Sequence, residues 1–280
     1  MNANLKRFPI QTTPGKLLLV PVRMHGALRY FRPSIGKAIR WSFISREVAN
    51  YTYDLTGTNL SYLAHTVSVV TEVDPAIVAQ YLQELSADDT LKQHVLQQTA
   101  SSGMKHCSDP VFRVGRRAGW YAFVRAIKPR LVVETGVDRG HGALVICSAL
   151  IRNKSEGYDG RYIGTDIDSN AGFLFTRPYS EYGEILYGDS IDSLRGLSDI
   201  DLFINDSDHS AEYEYKEYLT VADKLTPSAV ILGDNSHVSD SLHRFSEMRH
   251  RRFLFFQEKT QGALVSRCRN WDFLLRAESY

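Results

Sequence analysis

Five short apolar runs follow one another between residues 131 and 232, and each finishes on, or within two residues of, an acid. The runs are 131–133, 161–165, 184–187, 199–206 and 229–232. Segments of helical character separate them, an alternation typical of an α/β fold with a parallel sheet. Because the carboxyl ends of parallel strands open on one crevice, we expect the polar residues at these ends to converge there. Those residues are Glu134, Asp166, Asp189, Asp206, Asp234 and Asn235.

The first run breaks into a glycine-rich turn, ETGVDRGHG, with glycines at 136, 140 and 142. Glycine permits positive φ angles and close approach of a ligand to the main chain, and the helix that follows points unpaired N–H groups toward it. Alone, the pattern fits a tight turn or a nucleotide site. It lacks the full G-x-G-x-x-G spacing, so a nicotinamide oxidoreductase is the weakest interpretation.

Acids after the second and third runs agree with a nucleotide site. Asp166, with Asp168 close behind, stands where a carboxylate can accept two hydrogen bonds from a ribose diol. After the third run, Asp189 and Ser190 are placed to meet an adenine amino group or to cap the next helix, and both interpretations stay open.

Composition excludes several classes of function. The 280 residues are 43% hydrophobic and 23% charged with a formal net charge of +1, so no global field argues for nucleic acid. Three distant cysteines predict a reducing, cytoplasmic location rather than a disulfide framework or a zinc site. The longest apolar run near the start, 17–22, is far short of the ~20 residues of a membrane span.

Residues 1–46 form a basic, aromatic arm. They contain nine Lys or Arg and neither Asp nor Glu, together with Tyr30, Phe31, Trp41 and Phe43. The arm is interpreted as a cover on the main domain or as a peripheral contact with an anionic membrane or partner. The sequence leaves the oligomeric state open, a homo-oligomer included.

Residues 47–110 read as a helical cap. Asp74 and Pro75 predict one helix start, and Ser86 with Asp89 a second. Residues 111–127 predict a helix that leads into the first strand, and Arg116 and Arg117 are interpreted as its polar face in preference to a contact with a substrate anion. At the other end, 251–259 and 263–268 predict an antiparallel hairpin.

The order ETGVDRG, TDID, GDS, INDSDH, GDN, followed by a closing antiparallel strand pair, resembles the class I S-adenosylmethionine-dependent methyltransferases. Within them it is similar to the metal-dependent O-methyltransferases, the group of catechol and macrocin-type enzymes. The resemblance covers about residues 111–268. It implies a Rossmann-like, mostly parallel sheet with a C-terminal antiparallel strand and helices on both faces, so that 111–280 would be the cofactor-binding domain behind the N-terminal helical cap.

The resemblance also implies roles for individual residues. The turn with Glu134, Gly136, Gly140 and Gly142 would hold the methionine end of S-adenosylmethionine. Asp166 would bind the ribose, and Asp189 with Ser190 the adenine. The implied metal ligands are Asp206, Asp234 and Asn235.

Carboxylate and amide oxygens suit Mg²⁺, which would bind a substrate hydroxyl and aim its oxygen at the methyl group. Besides Asp206, the implied catalytic residue is His209, which stands where the catechol enzymes carry a lysine base. It is interpreted as a base in direct contact with substrate or as a residue that orients another group.

The resulting hypothesis is a Mg²⁺-dependent O-methyltransferase for a hydroxylated small molecule, with a sugar or glycosylated natural product suggested by the macrocin-type enzymes. Two alternatives stay open. One is metal-independent methyl transfer to nitrogen or oxygen with His209 as base, and the other is a non-catalytic binding protein with this fold.

Overall fold

The structure, a computed structural model, describes residues 17, 19–47, 52–208, 210–234 and 239–261, and the backbone of 270–277. The chain divides into two units, residues 1–45 and 46–280. The first unit contains helix α1, Val20–Ile44, with Pro21 in its first turn, where the missing N–H costs no hydrogen bond. No helix in the described part of the chain is long and apolar enough to cross a membrane.

Helices dominate the start of the second unit. Its first elements are strand β1, Asp54–Leu55, and helices α2, Gly57–Thr71, α3, Pro75–Ser86, and α4, Asp89–Ser101. Asp74 caps α3 as the sequence predicts, since its side chain accepts a hydrogen bond from the N–H of Ala76 at 2.7 Å. The predicted start at Ser86 is wrong because Ser86 ends α3, and Asp88 caps α4 by accepting from the N–H of Leu91 at 2.9 Å.

The helix before the sheet is shorter than the sequence predicts. A 3₁₀ turn, Gly103–His106, is followed by non-helical chain, and α5 spans only Arg117–Ile127. Gly115 adopts φ +56°, a left-handed conformation that separates the preceding segment from α5. The helix ends at Lys128, which is also left-handed, one residue before Pro129.

The main sheet is mostly parallel. Its strands are β2 Leu131–Thr135, β3 Arg161–Asp166, β4 Gly183–Tyr187, β5 Ile200–Asn205, β6 Leu225–Gly233, β7 Arg251–Gln257 and β9 Asn270–Ala277. Their order is β4-β3-β2-β5-β6-β9-β7. Strands β2 to β6 run parallel, and β9 lies antiparallel between β6 and β7. The predicted fold class is confirmed.

The predicted closing hairpin is right in kind and wrong in extent. The partner of β7 is β9, at 270–277, rather than 263–268, which lies outside the described residues. Between them β8, Thr260–Gln261, pairs with β1 in a separate two-stranded sheet. Asn59 of α2 also links the start of the second unit to the segment between β7 and β8. Its side chain donates to the Gln257 carbonyl at 3.0 Å and accepts from the N–H of Lys259 at 2.9 Å.

Helices cover both faces of the sheet. The remaining four are α6 His141–Ser155, α7 Ser190–Arg195, α8 Ala211–Val221 and α9 Ser241–Met248. Alternate residues of a strand point to opposite faces, so Val132 packs with α5 and α6 whereas Val133 packs with α8 and α9. The first of these cores also contains Leu63 and Leu91 of the helical segment. The domain boundary near residue 110 stays a prediction.

Candidate active site

A cavity of about 1070 Å³ opens at the carboxyl ends of β2 to β5. Its wall contains the predicted site residues Glu134, Gly136, Asp166, Asp189, Ser190 and Asp206. The wall also contains residues 102–104, which follow α4, and the two arginines at the start of α5, Arg116 and Arg117. The strand ends therefore bring six predicted site residues to one space, as expected for a parallel sheet.

Gly136 lets two neighbouring strands meet below this cavity. It adopts φ +84°, and a Cβ atom at this position would overlap the backbone of Asp206 and Ser207. The close approach follows from the ladder, in which the N–H of Asp206 donates to the Thr135 carbonyl at 2.9 Å. Glycine is thus required both by its φ and by the space available.

Glu134 is a buried acid beside the turn. The Tyr162 hydroxyl donates to its Oε2 at 2.6 Å, and the side chain is almost fully removed from solvent. Burial raises its pKa to about 8, against the effect of the Tyr162 hydrogen bond. At neutral pH the carboxyl group is therefore mainly protonated.

The other two glycines of the turn do not line the cavity. Gly140 has φ +95° and forms the N-cap of α6. A Cβ on Gly142 would overlap the Glu134 carboxyl group and the Trp120 ring. Gly142 thus makes room for Glu134, a packing role, and its predicted contact with a cofactor stays a prediction.

Asp166 organises the loop after β3. Its Oδ2 accepts from the N–H of Asp138 at 2.8 Å and its Oδ1 from the N–H of Asp168 at 2.9 Å. Each carboxylate oxygen can accept a further hydrogen bond, and the residue is half-buried in the cavity wall. The geometry leaves Asp166 able to receive two hydroxyl groups from a ligand.

Asp189 and Ser190 line the cavity and also form hydrogen bonds within the protein. Asp189 caps α7 by accepting from the N–H of Ile191 at 2.8 Å, so the capping interpretation is confirmed. The Tyr213 hydroxyl donates to Asp189 at 2.9 Å and is also 2.9 Å from the Ser190 hydroxyl. The predicted adenine contact of these two residues stays a prediction.

Glu217 of α8 is a buried acid that the sequence analysis missed. The Ser190 hydroxyl donates to its Oε1, and Asn205 Nδ2 and the Ser207 hydroxyl donate to its Oε2 at 2.6 and 2.5 Å. Burial raises its pKa even with these donors. A signal was present, because positions 214, 217, 218 and 221 have helical spacing and two of them are acids on the face that is buried.

Asp206 and Asp234 come together around an arginine. Arg116 Nη2 lies 2.5 Å from Asp206 Oδ2, and Arg116 Nε lies 3.1 Å from Asp234 Oδ1. The three side chains are 8%, 9% and 3% exposed. Burial raises the pKa of Asp206, but Arg116, a hydrogen bond with Asp234 and the charge of Arg117 together outweigh burial and hold the pKa below its ordinary value. Asp206 is therefore ionised, and both acids are paired with Arg116.

These residues do not fit the predicted magnesium site. The two described carboxylates already face a guanidinium. The third predicted ligand, Asn235, and the predicted base, His209, lie outside the described residues.

The preferred interpretation of Arg116 and Arg117 as a polar face is wrong, because both side chains are buried. Arg117 lies beside Arg116, and its Nε has no hydrogen-bond partner among the described residues. Burial, together with the charge of Arg116, lowers the pKa of Arg117. Two adjacent arginines at the start of a mostly apolar helix were the available signal, but the partners of Arg116 lie about 90 and 118 residues away in the sequence.

Comparison with known proteins relates the sheet and its cavity to one family. Residues 133–236, which run from within β2 to just past β6 and contain most of the described cavity wall, match the model of a family described as a methyltransferase domain. The match covers less than half of the chain and shows what this part of it is similar to. No curated protein sequence matches the chain.

Solved structures share the fold of this chain. A putative caffeoyl-CoA O-methyltransferase from Staphylococcus aureus aligns with a TM-score of 0.51 and 12% identity, over 70% of this chain and 98% of its own. A putative O-methyltransferase from Klebsiella pneumoniae aligns with a TM-score of 0.50 and 16% identity, over 72% and 97%. At such identities the likeness concerns the fold.

Proposed function

We propose that this protein transfers a methyl group from S-adenosylmethionine to a hydroxyl group of a small molecule. The observation that carries the proposal is the row of acids Glu134, Asp166 and Asp189 along one cavity of the matched methyltransferase domain. The O-methyltransferase neighbours with the same fold support the choice of oxygen as acceptor.

The cofactor would lie along the ends of β2, β3 and β4. Asp166 would accept the two ribose hydroxyls with the lone pairs that Asp138 and Asp168 leave free. Glu134 would receive the ammonium group of the methionine end, and Asp189 with Ser190 the adenine edge. Bound there, S-adenosylmethionine supplies a methyl group on a sulfonium, ready for attack by a nucleophile.

The acceptor would occupy the rest of the cavity. A drug-sized ligand pocket measures about 300–1,000 Å³, and the cavity of about 1070 Å³ therefore has room for a cofactor and a compact acceptor. In the reaction the acceptor oxygen bonds to the methyl carbon, the carbon–sulfur bond breaks, and the hydroxyl proton leaves to a base. His209 remains the predicted base.

Magnesium has no part in this proposal, since Arg116 is paired with both described carboxylates that were predicted as its ligands. A sugar or glycosylated natural product remains our suggested acceptor, on the basis of the macrocin-type resemblance. No contact in the described residues favours a non-catalytic binding protein, because the strand-end acids are all present.

We further propose that α1 lies on an anionic membrane surface. Six of its exposed apolar residues recur every three or four positions: Val20, Met24, Leu28, Phe31, Ile35 and Ile39. Five exposed basic residues and no acid stand on the same helix, with Arg29, Lys37 and Arg40 on the opposite side at 3.6 residues per turn. An apolar face with a basic face is typical of a helix in the membrane interface.

Titration calorimetry with S-adenosylhomocysteine tests the cofactor half of the proposed function. We expect one site per chain in the wild type, and roughly tenfold weaker binding for Asp166→Asn, because an amide offers one acceptor oxygen where the carboxylate offers two. Asp159→Asn, in an exposed loop, is the matched control and should bind as the wild type does.

A wild type that does not bind the product cofactor would contradict the proposal. The acceptor half is tested by transfer of a labelled methyl group from S-adenosylmethionine to a panel of sugars, glycosides and phenols, with primary amines as the competing class. Label found only on amines would overturn the assignment to oxygen.

A further inference from the structure

Arg116 lies between the ends of β5 and β6. This part of the cavity, away from the proposed cofactor site at β2 to β4, is called the acceptor end because the proposed acceptor would bind there. It faces Asp206, the first residue after β5, and Asp234, the first after β6. These are the positions at which the sequence predicts a divalent ion. The cation that the structure places there is instead a side chain of the protein itself.

The surroundings hold the Arg116 guanidinium in place. Gly115 supplies the left-handed turn before it, where a Cβ would crowd the Tyr53 backbone and ring. The guanidinium carbon also lies 5.8 Å from the centre of the Trp120 ring, within cation–π range. An exposed arginine gains little stabilisation from an ion pair, because solvent screens the charges. The Arg116 side chain is buried, so its ion pairs are screened less.

Charge also opposes a divalent ion at this position. Asp206 and Asp234 share a hydrogen bond and both face Arg116, and the neighbouring Arg117 adds a second buried guanidinium. A dication added beside two guanidinium groups would meet like charge at low dielectric. Arginine does not lose its proton in proteins, so a change of pH does not vacate the site.

We propose that Arg116 is the resident cation of the acceptor end, in place of a divalent metal ion, and that methyl transfer in this protein is metal-independent. This inference rests on the proposed function for its link to the reaction. The guanidinium has five N–H donors, and Arg116 lines the cavity. The donors that Asp206 and Asp234 do not use are available to the acceptor oxygen, a role that a metal ion would otherwise fill.

Binding of Mn²⁺, followed by electron paramagnetic resonance and calorimetry, tests the inference without any acceptor. We expect no stoichiometric Mn²⁺ binding by the wild-type protein. Arg116→Ala removes the guanidinium and should bind one Mn²⁺ per chain. Its affinity for Mn²⁺ should exceed any residual affinity of the wild type by roughly tenfold or more. Adding Asp206→Asn to this variant should abolish the gain.

Two control variants and one substitute variant separate the possible causes. Arg116→Lys keeps a positive charge and should still exclude Mn²⁺. Arg113→Ala removes a nearby arginine that pairs with Asp54 and Asp109 instead, and should leave Mn²⁺ binding unchanged. Arg116→Gln, which retains donors and most of the length, replaces Arg116→Ala if the alanine variant does not fold.

One Mn²⁺ bound by the wild type and lost in Asp206→Asn would overturn the inference, because the ion would then displace the guanidinium. Folded Arg116→Ala and Arg116→Gln variants that bind Mn²⁺ no better than the wild type would also overturn it. Binding of S-adenosylhomocysteine is measured on the same samples. Its failure in the wild type would count against the proposed function alone, since Mn²⁺ binding does not depend on it.

Discussion

Gly136 and Gly157 have similar φ angles, but they differ in how closely other atoms approach them. Their φ angles are +84° and +89°, both in the region that L-residues with a side chain rarely adopt. A Cβ on Gly136 would overlap the backbone of Asp206 and Ser207, whereas a Cβ on Gly157 would meet nothing within 4 Å. The pair therefore separates the cost of strain from the cost of a clash.

We expect Gly157→Ala to lower the free energy of unfolding by about 1 kcal/mol, the cost of a positive φ angle in alanine. Gly136→Ala should cost several times more, because β2 and β5 must also move apart, and it should abolish binding of S-adenosylhomocysteine. Urea unfolding of both variants measures the difference. Equal losses of stability would show that the close approach of the two strands is not a constraint.

Glu134 gives the proposed cofactor site a dependence on pH. Its pKa of about 8 means that the carboxyl group is mainly protonated at pH 7 before a ligand binds. An ammonium group bound beside it favours the carboxylate, so binding should lower this pKa and release a proton. Affinity should then rise with pH up to about 8 and level off above it.

Calorimetric titration of S-adenosylhomocysteine at pH 7, in buffers of different ionisation enthalpy, measures this proton. We expect release of nearly one proton by the wild type and none by Glu134→Gln, which keeps the shape and the Tyr162 hydrogen bond. Release of the same number of protons by both proteins would assign the proton to another group.

Single-residue roles were predictable where the partner is local in the sequence. Asp74 and Asp189 cap the helices that begin beside them, and both caps follow from residue type and position. Arg116 was not predictable in this way, because its partners at 206 and 234 are fixed only when β5 and β6 lie side by side. The same holds for Glu217, whose donors come from two separate segments, at residue 190 and at residues 205–207.

At the scale of elements, α1 is the helix whose role the sequence left most open. It is the described helix of the first unit, and its apolar stripe is exposed. The stripe and the basic side chains together are the features on which the proposed contact with a lipid surface rests.

Co-sedimentation with vesicles tests this role of α1. We expect the wild type to bind vesicles that contain phosphatidylserine, and Ile35→Asp to lose most of this binding because it places a charge in the apolar stripe. Val69→Asp, an equally exposed apolar position on α2, is the matched control. Binding should weaken with salt, and equal sedimentation of all three proteins would contradict the proposal.

Among the other elements, β2 to β6 were predictable because each is an apolar run with a polar end. The extents of α5 and β9 were not. The residues before α5 have helical spacing, but Gly115 breaks the helix with its left-handed conformation. For β9, pairing on both edges with β6 and β7 selects 270–277, and that choice depends on contacts distant in the sequence.

At the scale of the whole molecule, one core joins the helical segment to the sheet. Leu63 and Leu91 pack in the same cluster as Trp120 and Leu144, across the boundary that the sequence suggests near residue 110. The order of strands follows from general rules for α/β folds, whereas the packing of α2, α3 and α4 does not. Apolar spacing reveals that these helices have a buried face, but not which surface covers it.

A cation that is part of the chain makes the occupancy of this site independent of the free metal ions in the solution. Occupancy of a bound metal ion follows mass action, so it falls when the free ion is scarce. The Arg116 guanidinium is present at unit occupancy as soon as β5 and β6 have formed beside it. The acceptor end would then be set at folding, without a loading step and without sensitivity to the magnesium concentration of the cell.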